Sequence, residues 1–116
     1  KKKLKKLKKY IRLPKYNNKN FSSYHLFLIS LNLKYLSCSK DELFNFLNRR
    51  NIYPQYHYVP IFKFSFYKNK NNTKYNGASE YYKNTLSLPI YFGLKKKEQI
   101  YIIKSLFEFI KMYKKS

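Results

Sequence analysis

The sequence predicts an α+β fold: a small sheet with helices on one face. Three observations carry this. Residues 24–33 (YHLFLISLNL) form a strand-like run whose middle, 26–29, is continuously apolar and so expected to be covered on both faces. Residues 40–50 and 95–114 place apolar side chains at helical spacing. Between them lie short extended segments at 55–59 and 86–89, bounded by prolines and polar residues. At 116 residues the chain makes one domain with one modest core.

The elements follow in order. Residues 1–11 (KKKLKKLKKYI) put Leu4, Leu7 and Ile11 on one helical face, with Lys elsewhere. This reads either as a basic membrane-surface helix, which would make the chain a membrane-surface peptide plus domain, or as the tail of a longer helix, stopped by Pro14. Residues 15–20 are loop-like. After the strand, Ser39 and Glu42 fit a capping box, in which the hydroxyl takes an orphan N–H and the carboxylate reaches back. Leu43, Phe44, Phe46 and Leu47 are the inner face of that helix; Arg49 and Arg50 suit its C-terminal dipole, and Asn51 suits a left-handed cap. Residues 55–59 read as a short aromatic strand ended by Pro60. Residues 62–67 are ambiguous, 68–77 a polar loop, 78–85 a short helix, and 86–89 a tight extended segment. The last helix, 95–114, carries Ile102, Ile103, Leu106, Phe109 and Ile110 on a wide apolar face.

Composition narrows the function classes. With 44% hydrophobic and 21% aromatic residues, the chain is too apolar for intrinsic disorder. No apolar run approaches the ~20 residues of a membrane span. No secretory signal is visible, so the two glycosylation sequons, at Asn20 and Asn71, carry no weight and a cytoplasmic setting is expected. The net charge of +21 has two readings. One is a basic nucleic-acid-binding module, with residues 1–9 as an arm and aromatics as stacking platforms. The other is compositional drift: only three cations are Arg, and Lys, Asn, Ile, Tyr and Phe are what AT-rich coding delivers. Under either reading the field attracts anions.

Several chemistries lack their residues. The five carboxylates, Asp41, Glu42, Glu80, Glu98 and Glu108, are scattered over predicted helices. His25 and His57 have no partner at metal spacing, so no metal site is expected. Cys38 is single, which leaves no internal disulfide; with His57 it could form a nucleophile pair, or it is a small apolar residue near a strand end. No glycine-rich phosphate loop occurs. The densest polar-aromatic cluster is Gln55, Tyr56, His57 and Tyr58. An amide, an imidazole and two phenols on one strand can hold a sugar or a base, and can equally pack as an aromatic edge strand. Strand alternation places Gln55 and His57 on one face, Tyr56 and Tyr58 on the other.

Three stretches, SSYHLFLI (22–29), IYPQYHYVP (52–60) and ASEYYKNTLSLPIY (78–91) followed by LKKKEQ, resemble the C-terminal domain of DegT/DnrJ-type sugar aminotransferases. The likeness runs in order from about 11 to 110. Within that family it is nearest to the branch acting on a UDP-linked 4-keto-6-deoxy-N-acetylhexosamine, toward pseudaminic acid. The resemblance implies the small domain of a fold-type I enzyme that uses pyridoxal 5'-phosphate. It implies residues 1–20 as a helix end and linker from a missing N-terminal domain, and 21–116 as the small domain. The catalytic lysine and the cofactor would lie in that missing domain, so no catalytic residue is nominated here and the isolated chain is expected to be inactive. The resemblance also implies a UDP-sugar substrate, an amino-acid donor such as glutamate, a homodimeric parent, and substrate contacts from Gln55, Tyr56, His57 and Tyr58. Asn51 stands where the family often has Gly, and Tyr56 where a smaller aliphatic residue is common.

Overall fold

Residue pairing across the strands fixes which face of the sheet is the core. The computed structural model describes residues 3–15, 19, 21–67 and 75–115. Three strands, β1 (Ile11–Arg12), β2 (Phe27–Leu31) and β3 (Thr85–Leu88), form an antiparallel sheet in the order β1-β2-β3. Ile11 pairs with Leu31, Ile29 with Leu86, and Phe27 with Leu88. Directly paired residues share a face, so these six side chains form one apolar surface; five are buried in the core and Phe27, half-buried, packs against it. Ser87, paired with Leu28, projects from the opposite face and is nevertheless buried.

Two helices cover the core face. α1 (Lys40–Asn48) contributes Leu43 and Leu47; α3 (Lys96–Tyr113) contributes Ile102, Leu106, Phe109 and Ile110. Each buried Leu or Ile is worth about 1.5–3 kcal/mol of transfer free energy. The α1 capping box is present: the Glu42 N–H donates to Ser39 Oγ at 3.1 Å, and the Ser39 N–H to the Glu42 carboxylate at 2.7 Å. Asn51 follows with φ 57°, the left-handed turn its short polar side chain tolerates. At the start of α3 the Lys95 N–H donates to the Glu98 carboxylate at 2.6 Å. α2 (Asn76–Asn84) buries no residue fully and packs beside β2 and β3.

The fold differs from the sequence reading at four places. The helix expected over 1–11 is a 3-10 turn, Lys3–Leu7, followed by β1. The threefold repeat of a 3-10 helix eclipses Leu4 and Leu7, both buried, and frees Ile11 to pair with β2. The strand expected over 24–33 begins only at Phe27, because Tyr24 is left-handed at φ 53°. The helix expected over 78–85 spans Asn76–Asn84, and Thr85 opens β3 instead, where all four residues are buried. Finally, 55–59 is no strand: only Gln55 pairs, in an isolated antiparallel bridge to Ser87. The ambiguous stretch is two 3-10 turns, Ile61–Lys63 and Ser65–Tyr67. Of the expected loops, 16–18, 20 and 68–74 lie outside the described residues, as does the Asn71 sequon.

Candidate functional site

Gln55 is fixed to the outer edge of β3 by two backbone hydrogen bonds: its N–H donates to the Ser87 carbonyl at 3.1 Å, and the Ser87 N–H to its carbonyl at 2.8 Å. This bridge carries the following residues across the back of the sheet. His57 lands on the outward side of β3, where its Nε2 lies 2.7 Å from Ser87 Oγ. The imidazole is only 9% exposed, and its Nδ1 is buried without a partner in the protein. The Tyr58 ring meets it edge-on at 4.7 Å between centroids, and Tyr58 itself is 72% exposed.

Gln55, His57 and Tyr58 border an open cleft of about 380 Å³, shared with Tyr53, Ser87 and Tyr91. Of the four site residues expected from the sequence, the structure therefore brings three to one cleft. Tyr53 and Tyr91 were outside the expected set. Tyr53 precedes Pro54 and Tyr91 follows Pro89, and nothing local in either segment says that they meet.

Tyr56 turns the other way. Its ring stacks on Phe44 at 4.5 Å, and its hydroxyl donates to Asp41 at 2.7 Å. The Lys40 ammonium sits 4.2 Å from the Tyr56 ring centroid and 3.9 Å from that of Tyr82, and donates to the Tyr82 carbonyl. Burial, reinforced by Asp41, raises the Tyr56 pKa above the usual phenol value; burial lowers that of Lys40. This cluster ties the cleft segment to the start of α1 and to α2. Tyr58 lies on the cleft side with Gln55 and His57, whereas strand alternation would have paired it with Tyr56.

The remaining reactive groups have other partners. Cys38 is half-buried in a different cavity from His57, and burial pushes its thiol up to about 11, with Glu42 adding to the shift. That is the opposite of an activated nucleophile. Asp41, Glu42, Glu98 and Glu108 are engaged with Tyr56, Ser39, Lys95 and Arg50 respectively. Among the described residues no three His, Cys, Asp or Glu gather as a metal site, and no helix is long and apolar enough to cross a membrane.

The described residues do not fit pyridoxal phosphate. Lys40 is the one buried lysine among them, and its ammonium is already held by Tyr82 and two aromatic faces. The two glycines, Gly77 and Gly93, lie apart in sequence and form no phosphate-cradling loop.

Comparison with known proteins places the sequence and the fold in a family. The model of the DegT/DnrJ/EryC1/StrS aminotransferase family matches residues 1–107. A Campylobacter jejuni UDP-4-amino-4,6-dideoxy-N-acetyl-beta-L-altrosamine transaminase is 36% identical over 95 residues, covering 81% of this chain and 25% of its own. The Helicobacter pylori aminotransferase PseC, involved in the biosynthesis of pseudoaminic acid, superposes with a TM-score of 0.77 at 27% identity, over 89% of this chain and 28% of its own. The Streptoalloteichus hindustanus aminotransferase TlmJ shares the fold, with a TM-score of 0.80 at 19% identity over 96% of this chain and 29% of its own. The chain spans about a quarter of the length of the curated relatives it matches. With the family model matched over nearly all of its residues, the chain belongs to the DegT/DnrJ/EryC1/StrS aminotransferase family.

Proposed function

We propose that this chain serves as the C-terminal small domain of a pyridoxal-phosphate-dependent nucleotide-sugar aminotransferase. The parent enzyme transfers an amino group from an amino acid, glutamate in this reading, to the C4 ketone of a UDP-linked 4-keto-6-deoxy-N-acetylhexosamine, toward pseudaminic acid. The observation that carries the reading is the 36% identity to the Campylobacter transaminase over 95 residues, within a family match covering residues 1–107. The cofactor supplies the electron sink for amino transfer, and residues outside this chain hold it, since those described here do not. In this reading 1–20 leads from the cofactor-binding domain, 21–116 is the substrate-covering domain, and the parent is a cytoplasmic homodimer.

The contribution of the chain is binding and orientation. Gln55, His57 and Tyr58 face the nucleotide sugar across the cleft; Tyr56 holds that segment at the correct height from behind, through Phe44, Asp41 and Lys40. Positioning of this type contributes to rate by holding reactants in near-attack geometry.

A chimera tests the reading. This chain replaces the matching quarter of the Campylobacter transaminase, and amino transfer from glutamate to the 4-keto sugar nucleotide is measured. The chimera is expected to turn over, and the 116 residues alone, supplied with pyridoxal phosphate, are expected not to. A folded, cofactor-loaded chimera without transamination, or turnover by the isolated chain, overturns it.

A further inference from the structure

We infer that the cleft beside His57 receives an uncharged ring of the nucleotide sugar and leaves the diphosphate outside; the inference rests on the proposed role of the cleft as substrate-facing. The groups that bind a diphosphate most strongly are Arg or Lys side chains, a helix N-terminus, or a concavity of backbone N–H groups, most often at glycine. The described lining of this cleft contains no Lys, Arg or Gly, its one exposed imidazole is His25 at the rim, and no helix begins in it. Cations are not scarce in this chain, which has 26 Lys and Arg among 116 residues.

What lines the cleft suits a neutral ring. Tyr53, Tyr58 and Tyr91 are 65%, 72% and 57% exposed, and so present open aromatic faces to the apolar side of a sugar or a base. Gln55 adds an exposed amide that both donates and accepts. His57 adds a second directional group: its Nε2 is taken by Ser87, while Nδ1 has no partner in a side chain nine-tenths buried. The Ser87 contact holds this ring against the cleft wall. The volume, about 380 Å³, lies at the small end of ligand pockets and accommodates one ring with its substituents.

Two parts of the substrate have this chemistry, the uracil base and the N-acetylhexose, and the test separates them. The 116-residue chain is titrated in NMR experiments with uridine, N-acetylglucosamine, UDP-N-acetylglucosamine and pyrophosphate. Uridine or N-acetylglucosamine is expected to shift the signals of Gln55, His57 and Tyr58, with a Kd changing less than about twofold between low and physiological salt, as befits an uncharged ligand. Tyr58→Ala, a change at an exposed ring, is expected to weaken that binding at least about fivefold. Pyrophosphate is expected to shift signals elsewhere. Saturable, salt-sensitive movement of the cleft signals by pyrophosphate overturns the inference while leaving the substrate-facing role intact. So does movement by UDP-N-acetylglucosamine when neither neutral part has any effect. If UDP-N-acetylglucosamine leaves the cleft signals unmoved, the substrate-facing role itself fails.

Discussion

Asn51 takes a backbone conformation that most side chains avoid, at φ 57°, three residues beyond the end of α1. Glycine adopts that conformation without steric cost, whereas a β-branched residue clashes there. Asn51→Gly is therefore expected to leave stability within about 0.5 kcal/mol, while Asn51→Val costs about 1–2 kcal/mol, both read from urea denaturation. Ser87 makes a different case. Removing its hydroxyl leaves His57 Nε2 buried without the partner now 2.7 Å away, and an unsatisfied buried group costs about 1–3 kcal/mol. Ser87→Ala should lose that much; a loss below about 0.5 kcal/mol would show that water reaches the ring. The two residues also differ in how far the sequence reveals them. The Asn51 cap is local, set by one residue and the helix before it. The His57–Ser87 contact joins residues 30 positions apart, and only the antiparallel bridge of Gln55 to Ser87 brings them together.

At the scale of elements, α1 is the hinge between sequence and site. Its start was legible because Ser39 and Glu42 satisfy each other within four residues. Ser39→Ala is expected to cost about 1 kcal/mol, measured as a fall in thermal midpoint. The cleft segment was half legible. Its residues stood out as a polar-aromatic cluster, but its form did not, because strand character in 55–59 never finds a second partner beyond Gln55. What holds it instead is side-chain packing onto α1, with Tyr56 on Phe44 and Asp41. This packing carries a pH signature. Burial and Asp41 raise the Tyr56 pKa, so the folded state favours the protonated phenol. Its contribution is fully present below the unfolded value of about 10 and is lost as pH rises further. Lys40 shifts downward, so its contribution runs the other way, increasing as pH rises toward its ordinary value. A comparison between Tyr56→Phe and the natural chain isolates the first effect. The variant should lose about 1 kcal/mol at neutral pH, and the difference should shrink above about pH 10. A difference constant through that range would mean that the phenol is not protected by folding.

Over the whole molecule, charge opposes the core. Twenty-six cations face five carboxylates, and four of those five are committed to local contacts with Tyr56, Ser39, Lys95 and Arg50. Arg50 and Glu108 form an exposed ion pair. Net charge of this size destabilises a compact state by self-repulsion, and salt screens repulsion between exposed charges over about 10 Å at 0.1 M. Added salt therefore acts on many repulsive pairs and few attractive ones. Raising NaCl from about 20 to about 300 mM should stabilise the chain, and each kcal/mol gained raises the thermal midpoint of a domain this size by about 4–8 °C. A protein held by surface ion pairs would respond in the opposite sense. The response also separates the field from the fold. The sheet and the α1–α3 core are built from Leu, Ile and Phe whose pairing does not depend on charge. Exchanging exposed lysines such as Lys97 and Lys104 for glutamate should thus reproduce the effect of salt without altering the cleft. If those exchanges lower the midpoint instead, the lysines are engaged in attractive contacts and self-repulsion is not what salt relieves.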